Sequence, residues 1–205
     1  MYYPLKVVKI NRETSLAVSV EFEVSDENKQ LFTFTPGQFL TLKRNINGQD
    51  VRRSYSICST PQSGKLVVAI KKIEKGLFSS FAVNTLQEGD LVEVGVPAGK
   101  FTLSYNSDNA NEYLFIAAGS GITPTLSMVK TILVEEPLSK VQLVYGNKSP
   151  EETIFHKEIT ELQDTYKSLT LNLAYSEAQV EGALPGRISY DKLKTVVDNF
   201  GALAG

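Results

Sequence analysis

The chain has 205 residues, 42% apolar and 21% charged, with a formal net charge of -2. That length holds one large domain or two small ones with their own cores, and the slightly acidic balance excludes nucleic acid and anionic membrane as partners. A single cysteine, Cys58, excludes an intrachain disulfide and any cysteine-cluster metal or iron–sulfur site, so no metal site is expected.

From Leu5 to about Gly99 the apolar residues recur with period two, broken by turn residues. The clearest run places Leu16, Val18, Val20, Phe22 and Val24 on one face, with Ala17, Ser19, Glu21 and Glu23 on the other. Further strands are predicted over Lys6–Ile10, Phe39–Lys43, Asp50–Cys58, Lys65–Ile73 and Leu91–Val96. They are punctuated by Pro36-Gly37, Asn47-Gly48, Ser63-Gly64 and Gly89-Asp90. Six short strands in about a hundred residues suggest a small antiparallel barrel or sandwich. One helix interrupts them, with Leu77, Phe78, Phe81, Ala82 and Leu86 at helical spacing. The Met1-Tyr2-Tyr3-Pro4-Leu5-Lys6 start lacks the apolar core of a signal peptide, and no stretch approaches a membrane span. A cytoplasmic protein with no membrane partner is expected.

Residues 104–112 are polar with little to bury and read as a linker between domains at 1–104 and 112–205. After it the texture changes. Tyr113–Ala118 is a continuous apolar run, typical of a strand covered on both faces. Gly119-Ser120-Gly121 turns the chain, Thr123 is a candidate N-cap, and Pro124 fits the first helical position of a stripe carrying Leu126, Val129, Ile132 and Leu133. Val141–Tyr145 and Leu169–Tyr175 are further strands, separated by a helix carrying Phe155, Ile159, Leu162 and Tyr166. Ser189 can cap a last helix with Leu193, Val196, Val197 and Phe200. Strands alternating with helices mean a doubly wound parallel sheet. After the third strand and helix no apolar run follows before Gly205.

Three stretches carry chemistry. In Arg53-Ser54-Tyr55-Ser56 the strand period puts Arg53 and Tyr55 on one face and both serines on the other. A guanidinium forks onto a diphosphate, a tyrosine ring stacks on a flat heterocycle, and a hydroxyl meets a ring nitrogen, which together suit a flavin nucleotide. The plain alternative is an exposed strand arginine beside a half-buried tyrosine. Gly76-Leu77-Phe78-Ser79 opens the lone helix, where unpaired N–H groups and the helix dipole collect an anion. Gly76 permits close approach, Ser79 adds a hydroxyl, and Lys71 lies just upstream as a candidate ligand or a solvated strand lysine. Gly119 to Pro124 is strand, tight turn and helix start in succession, a context that cradles a pyrophosphate. Gly146-Asn147 and Tyr175-Ser176, at the ends of the other two strands, should face the same crevice. His156, with no second histidine, reads as a surface residue, and Cys58 as a small packed one.

Taken in order, these pieces resemble the ferredoxin–NADP reductase superfamily, including its oxygenase-reductase and flavodoxin-reductase members. Phe34-Thr35-Pro36-Gly37-Gln38-Phe39 is similar to the segment before the flavin strand, Arg53-Ser54-Tyr55-Ser56 to the Arg-x-Tyr-Ser motif, and Gly76-Leu77-Phe78-Ser79 to the Gly-x-x-Ser motif. Gly89-Asp90, Pro97 and Gly99-Lys100-Phe101 resemble the last barrel strand, Gly119 to Pro124 the nicotinamide-nucleotide motif, and Tyr145-Gly146-Asn147-Lys148 the Tyr-Gly-Asn-Arg segment.

The resemblance implies a six-stranded FAD-binding barrel followed by an NAD(P)-binding α/β domain. FAD would meet Arg53 at its diphosphate, Tyr55 on the isoalloxazine, Ser54 and Ser56 by their hydroxyls with Ser56 near the flavin N5, and Gly76, Leu77 and Ser79 at the phosphates. Tyr55 and Ser56 would be the catalytic pair. NADPH or NADH would lie against Gly119, Gly121, Thr123, Gly146, Asn147 and Ser176, pass hydride to the flavin, and send single electrons to an acceptor such as a ferredoxin, a flavodoxin or an oxygenase component. The alternative is a subunit that holds FAD but takes electrons from a partner flavoprotein; a weaker one is a binding module that lost its cofactor. Two departures stand out. Ser176-Glu177 replaces the usual Ser-Arg that meets the 2′-phosphate, with Lys148 or Arg187 as substitutes, and the Cys-Gly-Pro strand end does not occur. The second departure suggests the front part of a longer reductase.

Overall fold

The structure, a computed structural model, describes the backbone of residues 1–202 and the side chains of residues 1–198. The expected role of the Phe200 side chain, and the end of the tail, lie outside the described residues. The chain divides into two compact units, Met1–Ser104 with Thr123–Thr131, and Tyr105–Ile122 with the chain from Ile132 onward.

The first unit carries β1 (Tyr2–Thr14), β2 (Ala17–Glu23), β3 (Phe39–Ile46), β4 (Gln49–Ser56), β5 (Leu66–Lys71), helix α1 (Leu77–Asn84) and β6 (Leu91–Gly95). The strands form one antiparallel sheet in the order β4-β3-β6-β1-β2-β5. Ile57, just past β4, bridges to Val68, and Cys58 N–H donates to Val67 O at 2.9 Å, so the two outer strands meet and the sheet closes into a barrel. Closure removes the free edges that an open sheet would expose. Val7, Val20, Leu40, Ile57, Val68, Ile70 and Val94 fill the interior with no solvent exposure. Each such side chain contributes roughly 1.5–3 kcal/mol by leaving water.

The outer face of β2 departs from the alternation read in the sequence. Ala17 and Ser19 are as buried as their inward neighbours. Beside them the register of β1 shifts between Val7 and Lys9 and again between Arg12 and Thr14. There Ser19 Oγ donates to Glu13 Oε1 at 2.6 Å and accepts from Asn11 Nδ2 at 3.2 Å. A 3-10 turn over Asp26–Phe32, unmarked by any periodicity, buries Phe32 against the core.

The second unit holds a parallel sheet of β7 (Glu112–Ala118), β8 (Lys140–Asn147), β9 (Leu169–Tyr175) and β10 (Leu184–Pro185), in the order β10-β9-β8-β7. Helices α2 (Ile122–Glu135), α3 (His156–Thr165) and α4 (Tyr190–Ala202) follow β7, β8 and β10. The two-residue β10 is too short to announce itself by period. Among the described helices none is long and apolar enough to cross a membrane. The expectation that Tyr113–Ala118 is covered on both faces fails. Among the described residues β7 is an edge strand, and Leu114 and Ile116 on one of its faces are 40% and 50% exposed. On that face the cover is local: Gln142 Nε2 donates to Val196 O of α4 at 3.3 Å, and Ile188 packs over Gly146.

Residues 104–112 do more than link. Glu136, 1% exposed at the end of α2, accepts from Asn109 Nδ2 at 2.7 Å, Ser139 Oγ at 2.8 Å, Tyr113 OH at 2.9 Å and Asn106 N–H at 3.3 Å. A buried carboxylate persists when its lone pairs are met by donors, and these donors tie the stretch to the unit that follows it. Burial pushes the Glu136 carboxyl up, but the hydrogen bonds from Asn109, Ser139, Tyr113 and Asn106 outweigh it and hold the group below its ordinary 4.5. A depressed folded pKa gives stability that is full above 4.5 and lost as pH falls through the lower, folded value. Glu136→Ala, which strands four donors, is expected to cost about 2–4 kcal/mol in urea unfolding at neutral pH. The difference from wild type should shrink progressively below pH 4.5.

Candidate functional site

The β3–β4 hairpin sets the first cluster. Asn47 and Gly48, with φ of 52° and 80°, form the two-residue loop whose twist matches paired strands. The register that follows pairs Leu42 with Arg53 and Leu40 with Tyr55. Leu40 and Leu42 are 0% and 1% exposed, so Arg53 and Tyr55 leave β4 on the core-facing side, where the strand period put them together. Ser54 and Ser56 take the other side, where Ser54 Oγ lies 3.1 Å from Thr41 Oγ1.

Tyr55 is half-buried, and its ring centroid lies 5.7 Å from that of Phe78, in the first turn of α1, at 40° between planes. Burial pushes the Tyr55 hydroxyl up to about 12, with Arg53 pulling the other way, so it is a protonated donor at neutral pH. Arg53 is exposed; one guanidinium N–H donates to Arg52 O at 2.6 Å, and the rest of the fork faces solvent.

The start of α1 sits beside this ring. Gly76 occupies the N-cap with no side-chain cap, leaving the first-turn N–H groups for a ligand or water. Ser79 is 5% exposed and turned inward: its Oγ accepts from Ile73 N–H at 3.2 Å and donates to Gly76 O at 3.3 Å. Its hydroxyl thereby ties together the loop that carries Gly76. The loop is tight enough to require glycine, since a Cβ on Gly76 would stand 2.4 Å from Ser79 Oγ and 2.5 Å from Ile73 Cγ1. Lys75 before it adopts a left-handed φ of 57°, strained for a residue with a Cβ. Leu77 is 43% exposed. A concavity of about 390 Å³ opens here between Ile46 and Asn47 at the hairpin tip and Lys75, Gly76, Leu77 and Phe81. Lys71 does not join the cluster. Alternation along β5 turns Ile70 into the core, so Lys71 projects on the opposite face from Tyr55.

The second cluster lies at the carboxyl ends of β7, β8 and β9. Gly119, at φ 51°, begins a single 3-10 turn that runs straight into α2 at Ile122. The helix starts with Gly121 as its cap, so Thr123 lies buried inside the first turn instead of capping it. Pro124 remains within the first turn, where its missing N–H costs nothing. A Cβ at Gly119 or Gly121 would meet nothing within 4 Å; the space before the turn is open to a bulky anion. Tyr145, fully buried, donates its hydroxyl to Gly119 O at 3.0 Å and so pins the turn from below. Ala118 pairs with Gly146 and Asn147 with Tyr175, and Ser176 N–H donates to Asn147 O at 3.0 Å, so the expected strand-end residues lie side by side. The Asn147 amide is buried at the end of β8, beside the Tyr145 hydroxyl.

The structure thus gathers Arg53, Tyr55, Gly76, Leu77 and Ser79 in one cluster and Gly119, Gly121, Gly146, Asn147 and Ser176 in another. Sequence reasoning missed Phe78 as the ring partner of Tyr55 and Tyr145 as the anchor of Gly119, because each sits in an apolar run where an aromatic signals only core. His156 is exposed, and among the described residues no group of three or more His, Cys, Asp or Glu is placed to hold a metal. Gly76→Ala should destabilise the first unit by about 1–3 kcal/mol in chemical unfolding, since the loop must shift to admit the methyl.

Comparison with known proteins gives the family. Residues 4–103 match the oxidoreductase FAD-binding domain, and residues 115–202 the oxidoreductase NAD-binding domain. One of the subunits of the 1,2-phenylacetyl-CoA epoxidase of Escherichia coli K12 is 38% identical over 197 residues, covering 95% of this chain and 55% of that protein. The ferredoxin reductase component of the Rhodococcus rhodochrous 3-ketosteroid-9-alpha-monooxygenase is 35% identical over 164 residues, covering 79% and 46%. The chain spans about half the length of the curated relatives it matches. Among solved structures, a ferredoxin-NADP+ reductase from Neisseria gonorrhoeae with bound FAD and NADP has the same fold, at a TM-score of 0.78 and 21% identity over 95% of this chain and 76% of that one. The chain belongs to the oxidoreductases that join an FAD-binding domain to an NAD-binding domain, the ferredoxin–NADP reductase superfamily.

Proposed function

We propose that this chain binds FAD and NAD(P)H and works as a reductase that delivers single electrons to an acceptor protein: a ferredoxin, a flavodoxin or an oxygenase component. The observation that carries the reading is the meeting of Arg53, Tyr55 and the uncapped start of α1 at one end of the barrel. The names of the relatives, an epoxidase subunit and a monooxygenase reductase component, support the acceptor class.

The donor set fits the flavin nucleotide. Arg53 offers an exposed fork to a diphosphate, and the α1 start adds backbone N–H groups whose helix dipole favours the same charge. Tyr55 offers a ring face held by Phe78 and a hydroxyl that stays protonated. Ser56 and Ser54 offer hydroxyls from the other side of the strand, Ser56 to the redox edge. Ser79 holds the loop that presents Gly76 and Leu77. Gly119 and Gly121 leave room for the pyrophosphate of NAD(P)H, with Thr123 inside the helix start behind them. Gly146, Asn147 and Ser176 border the same strand ends. FAD, when bound, supplies the conversion of a two-electron hydride into single electrons; the residues named bind, orient and shield it.

Anaerobic addition of NADH or NADPH to the FAD-loaded protein is expected to bleach the yellow flavin. A protein that stays colourless in excess FAD would end the proposal, and a yellow one that neither nucleotide bleaches would support the subunit fed by a partner flavoprotein. Arg53→Ala should weaken FAD binding by about ten- to a hundredfold in equilibrium titration, the loss of one charge-assisted contact to the diphosphate.

A further inference from the structure

Beneath the strand ends one buried hydroxyl gathers three segments. Tyr145, 0% exposed on β8, donates its OH to Gly119 O at 3.0 Å, and the same hydroxyl lies 3.3 Å from Ile154 O. The Asn147 amide stands beside it. Gly119 belongs to the turn after β7, and Ile154 to the loop that leads into α3. A buried tyrosine that merely needed an acceptor would be satisfied by Ile154 O alone. Reaching Gly119 as well makes the hydroxyl a tie between two loops.

Gly119 is where such a tie matters. It has no Cβ and sits at φ 51°, a region that glycine enters and leaves at little steric cost, so its own covalent structure does not fix the direction of its peptide. Gly119 O accepts from Tyr145 OH and from Ile122 N–H, and these two donors hold the carbonyl inward. A flipped peptide would turn that oxygen outward, where its negative end repels a phosphate. At the other end of the tie Phe155 is a bulky residue, 7% exposed, held at φ 60°, a left-handed conformation that persists only where surrounding contacts fix it.

We infer that the Tyr145 hydroxyl is a positioning group of the nucleotide site, holding the Gly119–Gly121 turn in the conformation that admits a pyrophosphate. Being fully buried, it acts through Gly119 and not by contact. The inference rests on reading that turn as part of the NAD(P)H site. A turn that is correctly posed only part of the time binds more weakly in proportion to that fraction.

The test is calorimetric titration of NAD⁺ and NADP⁺ into the FAD-loaded chain, as wild type, as Tyr145→Phe and as Tyr113→Phe. The last is a control that strips a hydroxyl bonded to Glu136, at the other end of β7. Tyr145→Phe is expected to bind nucleotide roughly threefold to tenfold more weakly with FAD affinity unchanged. Tyr113→Phe should lower the urea midpoint and keep the nucleotide affinity of wild type. Hydrogen exchange on wild type needs no variant to fold. The Ile122 amide, which donates to Gly119 O and Ser120 O, should already exchange slowly before nucleotide is added. Nucleotide affinity unchanged in Tyr145→Phe, or lowered equally in both variants, would overturn the inference and leave the site standing. So would an Ile122 amide that becomes slow only once nucleotide is bound. Binding of neither nucleotide by wild type would remove the strand-end site itself, and this inference with it.

Discussion

A two-residue turn carries the first cluster. Asn47 and Gly48 both adopt left-handed backbone, which asparagine tolerates and glycine adopts freely, and the resulting hairpin admits one register. In it Arg53 and Tyr55 stand opposite Leu42 and Leu40, on the side of the strand that faces the core. A slip of one residue would turn Arg53 and Tyr55 outward and Ser54 and Ser56 in. Neither side chain can be swallowed by the core: Arg53 keeps its charge in solvent, and Tyr55 stops half-buried against Phe78. A cation and a ring are thereby left at the barrel's end beside an uncapped helix start, a combination that apolar packing alone has no reason to build.

Much of the fold was legible because the relevant signals are local. Period two in Val18, Val20 and Phe22, turn residues at Asn47-Gly48 and Gly89-Asp90, and the change to long apolar runs after Tyr113 each reflect short-range physics. What escaped depends on distant partners. The outer face of β2 reads as solvent-exposed, but Ala17 and Ser19 are buried, and Ser19 is bonded to the Asn11 and Glu13 side chains of β1. Tyr113–Ala118 reads as a strand covered on both faces because its residues are apolar, yet composition does not say what packs on a face, and Leu114 and Ile116 are 40% and 50% exposed. The polar stretch before it reads as a linker, although Asn106 and Asn109 donate to Glu136, a carboxylate 30 and 27 positions along the chain.

The candidate site was legible at the level of motif more than of atom. Arg53 and Tyr55 share a face because alternation is a property of any strand. Gly76 is where a helix start and a crowded loop both demand it. The direction of a hydroxyl is another matter: Ser79 spends its own on Ile73 and Gly76, and nothing in the local sequence announces that choice. Lys71 fell away for a simpler reason, the parity of its position on β5. Tyr145, which pins Gly119 from beneath, looked like one more core aromatic, and the pairing of Lys148 with Glu177 needed the parallel register of β8 and β9 to bring together residues far apart in sequence.

The central claim is that Tyr55 presents its ring to a flavin held by Arg53 and the start of α1, and the fluorescence of FAD during titration into the apoprotein tests it most directly. Stacking on a tyrosine quenches that emission, so the account predicts a saturating loss of fluorescence in wild type and its recovery in a Tyr55→Ala protein that still binds FAD. Saturable binding with no quenching in wild type, or equal quenching once the ring is removed, would contradict it.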